Sequence, residues 1–508
     1  MLYIPRDGVL WDTFLMKKDD KYHLFYLRFA SALGHAVSDD LVHWTEEPAI
    51  EFSVPGSWHQ AGATLTGSIL EKDNKYWYAL GCLDNNGYQS YGFAVSDDLY
   101  NWTVVDKEAP SIVAGSEYYD HDTNMFTSGW RDTAFRIDCE GWVHCYLCAS
   151  AHKPNQYSSG AVIGHLRSRD MKNWEYLPPI AHVGDRVSAA ECPSMLEING
   201  KWYVTFVDHG SGGMRWHASG YEDAGGTYYM VSDDPDGPYT FTANPLLLGS
   251  GMDRQESWAG RAAKIDGKWL IYSHMSSKNA FANIKEIVQT DDGGLELRYF
   301  PAIEKLICDE PRVLCEPKHI EGSGPFGWQD LGKWASSGTT ISGECMSMGS
   351  GVQLTEKAGS FILDAEVMME KGAALGFALR THDYDGIPRF PGLPAPREHG
   401  AVVIRLDYQL KRAEIEELVR CSYTGYGHND FINSSFVRNP DRRQIDIRHG
   451  VRYHIKIIAR GPFYELYIDD KFILCKQLGS ALEGGIEAIV ERGRACFMNV
   501  ALYPIEPL

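Results

Sequence analysis

The chain has 508 residues, enough for two or three separate cores. Its formal net charge of −20 argues against nucleic acid and anionic membrane as partners, so a neutral or small ligand is expected. No apolar run is long enough to span a membrane and the opening MLYIPRDGVLW lacks a signal-peptide pattern; with eleven cysteines, an odd number without framework spacing, this predicts a reducing cytoplasm.

Taken in chain order, the sequence repeats itself. An aromatic-rich strand, KYHLFYL from Lys21, precedes GHAVSDDLVHW (Gly34 to Trp44). KYWYALG from Lys75 precedes YGFAVSDDLYNW (Tyr91 to Trp102), and GWVHCYL from Gly141 precedes IGHLRSRDMKNW (Ile163 to Trp174). Looser copies follow: KWYVTFV from Lys201 with YYMVSDDPDGPY (Tyr228 to Tyr239), and KWLIYSH from Lys268 with EIVQTDDGGLELRYF (Glu286 to Phe300). Repeats that each hold several strands and turns predict a β-propeller, and five units predict five blades over residues 1–308.

Pro311, Pro317, Gly322, Gly324 and Pro325 punctuate a connection over 309–330. Residues 331–508 then read as a second all-β unit, with strands Ser360 to Met369, Ala373 to Thr381, Gly400 to Tyr408, Tyr453 to Arg460, Phe463 to Leu474 and Ala495 to Ile505. Alternating apolar and polar residues joined by Gly/Asp turns predict a two-sheet sandwich. The glutamate-rich run from Glu414 to Glu417 looks helical and is read as a solvated face.

Counting back from the aromatic that opens each second strand picks out three acids. Ten residues before Tyr22 stands Asp12, ten before Trp142 stands Asp132, and eleven before Trp202 stands Glu191. The same offset gives Thr66 in the second blade and Ala259 in the fifth. The innermost strands of a propeller line its channel, so one shared register predicts three carboxylates facing one another at its mouth. Like charges crowded in a cleft push their pKa values apart, which suits acid–base work. Long loops over Glu108 to Trp130 and Asp208 to Gly226 supply walls. Trp11, Trp58, Trp130, Trp216 and Trp258 fall in these loops or near strand openings, and at least two of them are expected to offer a face to a sugar.

Two carboxylates flanking a glycosidic bond suffice for hydrolysis, and a third can orient the sugar. With that chemistry in hand, the motifs resemble glycoside hydrolase family 32, the fructofuranosidase group. GHAVSDDLVHW is close to that family's first-blade ending, Arg131-Asp132 to the start of its Arg-Asp-Pro motif, and Glu191-Cys192-Pro193 to its Glu-Cys motif. Leu65-Thr66-Gly67-Ser68 resembles its Phe-Ser-Gly segment, and the closing strand pair resembles its terminal sandwich.

The resemblance implies Asp12 as nucleophile, Asp132 as transition-state stabiliser with Arg131 beside it, and Glu191 as general acid/base. Glu191 then has to be protonated at the start, and Asp12 and Asp132 nearby are expected to raise its pKa. Cys192 is placed against Glu191, while Trp11, Trp58, Thr66, Arg131, Cys192, Trp258 and His274 are the expected substrate contacts. A small oligosaccharide is the implied partner and a retaining double displacement the implied route.

Several positions depart from the family pattern. Leu10-Trp11-Asp12-Thr13-Phe14 stands where the family has Asn-Asp-Pro-Asn-Gly, and a register error would bring in Asp7. The segment LRFASAL between Tyr26 and Gly34 is short, Thr133 replaces a proline, and His274 stands where a tryptophan is usual. Arabinofuranosides or xylosides, transfer in place of hydrolysis, and a non-catalytic carbohydrate-binding propeller are the alternatives. Neither a phosphate-cradling glycine loop nor a metal-ligand cluster is legible, so no cofactor and no metal is expected. Cys145 and Cys148 form a CxxC within one strand, where residues three apart face opposite ways, and are read as core residues.

Overall fold

The computed structural model describes residues 3–6, 9–28, 32–83, 88–120, 129–152, 160–183, 189–208, 225–249, 258–275, 279–317, 332–346, 349–383, 397–423, 432–478 and 481–508. Contacts divide the chain into two units, the first ending at Ala302 and the second running from Ile303 to Leu508.

Two kinds of turn shape the first unit. Asp73-Asn74, Asn199-Gly200 and Asp266-Gly267 close the first hairpin of their blades with positive φ at both residues (54° and 57°, 51° and 77°, 50° and 80°). Such two-residue turns match the twist of antiparallel strands, and Asn, Asp and Gly tolerate the left-handed conformation best. The repeated Ser-x-Asp segment makes the second kind. Ser38 Oγ accepts the amides of Asp40 and Leu41, and Asp40 Oδ1 accepts those of Val42 and His43. Ser96 with Asp98, and Ser168 with Asp170, repeat the arrangement. The acids of the most visible repeat are therefore turn formers.

Between these turns lie five antiparallel sheets, each in chain order from its innermost strand. The first holds Trp11–Lys18, Lys21–Arg28, Ala32–Ser38 and Thr45–Glu51. The second holds Ile69–Lys72, Lys75–Leu83, Gln89–Ser96 and Thr103–Val104, with Ile112–Val113 also on its third strand. The third holds Trp130–Ile137, Val143–Ser150, Ala161–Ser168 and Glu175–His182, and the fourth Glu191–Ile198, Lys201–Asp208, Gly226–Ser232 and Thr240–Gly249. The fifth holds Trp258–Ile265, Lys268–Met275, Lys285–Gln289 and Leu295–Arg298. Together they form the five-bladed propeller. Blade one meets blade five through Tyr3, which exchanges backbone hydrogen bonds with Phe281, and through Asp266, which accepts from Lys17 at 2.6 Å and Tyr22 at 2.7 Å. Aromatic clusters fill the spaces between blades, with Tyr91, Phe93, Tyr119 and Trp130 in one and Phe25, Phe52 and Tyr78 in another. Each such buried side chain contributes roughly 1.5–3 kcal/mol through apolar burial. Cys145 and Cys148 are wholly buried in blade three, and burial pushes both thiols up.

The second unit is a sandwich. One sheet orders its strands as Ser350–Ala358, Gly484–Glu491, Ala374–Asp383, Arg397–Asp407, Arg412–Tyr423 and Ile432–Gln444. The other runs Lys471–Gln477, Phe463–Ile468, Arg452–Arg460, Phe361–Lys371, Gly493–Pro504, Thr340–Cys345 and Lys333–Ser337. Phe377 and Phe497 meet edge to face between the sheets, centroids 5.4 Å apart. The unit begins before residue 308, because the Cys308 amide donates to the Pro504 carbonyl at 3.0 Å. Arg312–Val313 pairs with Ala501 and Leu502, so part of the expected connection is sheet, and residues 318–330 lie outside the described residues.

The Glu414–Glu417 run is a correction. It belongs to the strand Arg412–Tyr423, where Ala413 and Ile415 face the core and Glu414 and Glu416 are buried on the other face. Arg405 pairs with both, lying 3.3 Å from Glu416, and Arg442 lies 3.4 Å from Glu414. Alternation along a strand placed the charges against arginines on neighbouring strands, which a helical reading could not anticipate.

Candidate active site

Four innermost strands open with a β-bulge. The pairing register shifts between Trp11 and Thr13, Arg131 and Ala134, Glu191 and Ser194, and Trp258 and Arg261. One residue in each bulge takes a positive φ: Asp12 at 30°, Asp132 at 64°, Cys192 at 48° and Ala259 at 49°. Non-glycine residues held in that region mark local strain that the surrounding structure must sustain. The bulges also correct the shared register expected for the acids. Asp12 and Asp132 are equivalent, but their counterpart in blade four is Cys192. Glu191 stands one residue earlier, at the place of Trp11, Arg131 and Trp258. A bulge breaks strict alternation, so two successive side chains serve the same end of the channel.

Two of the acids, Asp12 and Asp132, come together. A carboxylate oxygen from Asp12, one from Asp132 and the Cys192 sulfur all lie within 4.8 Å of one another. Arg131 links the remaining acid: its Nη2 donates to Glu191 Oε1 and its Nε lies 3.7 Å from Asp132 Oδ2. The Cys192 amide donates to Asp132 Oδ2 at 3.0 Å, and the Thr66 hydroxyl donates to Asp12 Oδ2. His274 is wholly buried, with Nδ1 3.9 Å from Asp12 Oδ1 and its ring 4.6 Å from that of Trp11.

Burial and charge then set the protonation states. Burial raises the Asp132 pKa, the Arg131 cation partly offsets this, and negative Glu191 and Asp12 add to it. His274 is pushed down to about 3 by burial, so it stands beside Asp12 as a neutral ring. Burial also lifts the Cys192 thiol, with Asp12 and Asp132 reinforcing the shift. Glu191 does not face carboxylates alone, as expected from sequence, because Arg131 bonds it directly.

The other expected contacts divide. Trp11, Thr66, Arg131, Cys192 and His274 surround the acids. Trp58 is buried in blade two, its indole N–H spent on the Asp106 carbonyl at 2.6 Å and its ring against Gly92, so it packs the blade. Trp130 is likewise buried, stacked on Tyr176 with centroids 6.0 Å apart. The Trp258 side chain, Trp216 and Asp7 lie outside the described residues, although the Trp258 backbone pairs with His274.

Two residues at the site were missed. The Tyr91 hydroxyl accepts the Asp132 amide at 2.7 Å and donates to the Thr66 carbonyl at 2.9 Å. Arg261, 2% exposed, donates to the Gly67 carbonyl at 2.9 Å and the Thr133 carbonyl at 2.8 Å. A signal existed for both. Tyr91 occupies the repeat position of Leu33 and Ile163, and Arg261 that of Phe14, Ala134 and Ser194.

No metal cluster is legible in the sequence, yet the fold assembles two sets of potential ligands among the described residues. Asp12, Asp132 and Cys192 are one, where the lifted thiol opposes metal binding because a cysteine ligand must be deprotonated. His144, His165 and Asp236 are the other. There His144 Nδ1 and His165 Nε2 lie 2.8 Å apart, and blade one repeats the pair as His23 Nδ1 and His35 Nε2 at 3.0 Å. The recurrence fits a hydrogen-bonded structural pair.

Residues 12–254 match the family described as "Glycosyl hydrolases family 32 N-terminal domain". A levanbiose-producing levanase from Bacillus subtilis (strain 168) is 27% identical over 188 residues, covering 35% of this chain and 33% of the levanase. An extracellular exo-inulinase from Aspergillus awamori is 22% identical over 284 residues, covering 48% of this chain and 49% of the inulinase. The chain thus spans a third to a half of the length of these curated relatives. Among solved structures, sucrose-6-phosphate hydrolase from Lactobacillus gasseri superposes with a TM-score of 0.63 at 16% identity, covering 99% of this chain and 92% of that one. At that identity the likeness is one of fold. The chain is thus similar to glycoside hydrolase family 32 proteins: the matched domain lies in its propeller, and the likeness of fold runs along nearly its whole length.

Proposed function

We propose that the protein is a glycosidase that removes a terminal furanose, β-fructose in the first instance, from short oligosaccharides by a retaining double displacement. The observation that carries this reading is the meeting of Asp12 and Asp132, from two blades, within 4.8 Å, with Glu191 of a third blade bonded to Arg131, which also lies 3.7 Å from Asp132. Named relatives that are a levanase and an exo-inulinase support fructose as the sugar.

In the first step an Asp12 oxygen bonds to the anomeric carbon while the glycosidic C–O bond breaks, and Glu191 gives its proton to the departing oxygen. In the second, Glu191 takes a proton from water, the oxygen of that water bonds to the anomeric carbon, and the ester to Asp12 breaks. The Thr66 hydroxyl holds Asp12 Oδ2, leaving Oδ1 on the side of His274. A neutral His274 adds no cation there to weaken the nucleophile. In this reading Asp132 and Arg131 grip sugar hydroxyls, and Trp11, its ring 4.6 Å from that of His274, offers a face to the sugar. The retaining route and these roles rest on the family resemblance. The cytoplasm is the proposed compartment, supported by described cysteines that are all free.

The test is product analysis of wild type and Asp12→Asn on sucrose, levan- and inulin-type oligosaccharides, and aryl arabinofuranosides and xylosides. Free fructose from wild type alone supports the reading. Pentose release would move the substrate to another furanoside, and no release from any member would overturn hydrolysis of these sugars.

A further inference from the structure

The three acids belong to blades one, three and four, and blade two contributes none. Blade two nevertheless holds the middle of a hydrogen-bond path that joins them. Asp12 accepts from the Thr66 hydroxyl, and the Thr66 carbonyl accepts from the Tyr91 hydroxyl. The same hydroxyl accepts the Asp132 amide, and the Asp132 carboxylate accepts the amide of Cys192, the residue after Glu191. One phenolic oxygen therefore lies between the nucleophile's partner and the stabiliser.

A second group braces the next residue on each strand. Arg261 reaches from blade five to the carbonyls of Gly67 and Thr133, which follow Thr66 and Asp132 in sequence. Ser68 Oγ and Thr133 Oγ1 add a third link at 3.2 Å. The geometry is closely packed. A side chain at Gly67 would meet the Ala79 carbonyl at 2.1 Å, and one at Gly81 would meet the Tyr91 ring at 2.4 Å. Gly81 thus makes room for the phenol that reaches inward.

We propose that Tyr91 and Arg261 are positioning residues that clamp Thr66-Gly67 to Asp132-Thr133 and so fix the separation of Asp12 and Asp132. The assignment of those acids rests on the glycosidase reading above. The bulge is the physical reason a clamp is needed: it lifts the Asp132 amide out of the strand ladder, and a buried N–H without an acceptor is costly. Tyr91 supplies the acceptor and, through its own proton, ties it to the other blade. Arg261 acts as a planar fork, which an ammonium cannot reproduce at two carbonyls on different strands.

The experiment uses Tyr91→Phe, which keeps the ring, and Arg261→Lys, which keeps the charge. Each is assayed on whichever panel sugar wild type releases, with kcat normalised to correctly folded protein. Hydrogen exchange is followed in parallel for the peptide containing Asp132. The expected result is a fall in kcat of about 10- to 100-fold with KM within about threefold, the signature of misplaced catalytic groups. Faster exchange at Asp132 in Tyr91→Phe is also expected. Folded variants with wild-type kcat would overturn the proposal, as would a loss confined to Tm. If wild type releases no sugar, the glycosidase reading fails separately, and the clamp then stands or falls on the exchange of the Asp132 amide.

Discussion

The main-chain amide of Cys192 donates to Oδ2 of Asp132 at 3.0 Å, and this bond couples the bulge of blade four to that of blade three. Because the donor is backbone, the Cys192 thiol is left to pack near Val207 and Ala259, with Trp11 against the cluster. Glu191, one residue earlier, is then directed to Arg131.

That arrangement makes Cys192 slow to react. It is 2% exposed and its thiol is pushed up, whereas Cys139 and Cys308 are exposed. The thiolate is the reactive form, so iodoacetamide should label Cys139 and Cys308 in the native protein and reach Cys192 only after denaturation. Peptide mass spectrometry over a time course reads this directly. Early labelling of Cys192 would contradict its buried placement.

Asp132 should carry a stability cost that grows with pH. Its folded pKa is raised to about 7, against an unfolded carboxyl near ~4. Between those values the native state binds the proton more strongly than the unfolded state does. Stability from this group is therefore greatest near the lower value and falls as pH rises toward the upper one. Asp132→Asn should remove that slope and stabilise the fold at pH 8 by on the order of 1 kcal/mol, while activity collapses. Thermal melts of both proteins from pH 4 to 8 test this; parallel curves would refute it.

Buried histidines impose the opposite slope. Burial pushes His23 down to about 4, and His35 and His165 to about 3. Unfolded histidines take up protons below ~6.5, so this contribution is complete above that pH and is lost as pH falls through the acid range. Replacing His23 and His35 together by Gln should flatten the acid side of the Tm profile, even with a lower Tm at pH 8. An unchanged acid slope would count against the buried pair as its source.

Arg131 is placed to act on two acids at once, bonding Glu191 and lying 3.7 Å from Asp132. A lysine keeps the charge but loses the fork geometry. Arg131→Lys should lower kcat/KM by about 10- to 100-fold, the loss of one charge-assisted hydrogen bond of roughly 1.5–3 kcal/mol. The pH–rate profile should change as well, because the cation next to Glu191 moves. A profile identical to wild type would show that Arg131 is not coupled to Glu191.

Much of this protein was legible in the sequence for a local reason. Each blade is written by nearby residues: aromatic strands, Asn-Gly and Asp-Gly turns, and the Ser-x-Asp loop that satisfies its own amides. Strand alternation in the second unit is equally local, so the sandwich strands could be read. The three acids emerged because repeats can be superposed without knowing how the blades meet. What only the tertiary structure decided depends on neighbours that are remote in sequence. The bulge that places Cys192, not Glu191, beside Asp12 and Asp132 is one such feature. The burial of Glu414 and Glu416 against Arg405 is another. So are the spending of Trp58 on packing and the reach of Tyr91 and Arg261 to adjoining blades. A hydrogen bond between blades has no periodicity along the chain, and its partners are fixed only when the ring of sheets closes.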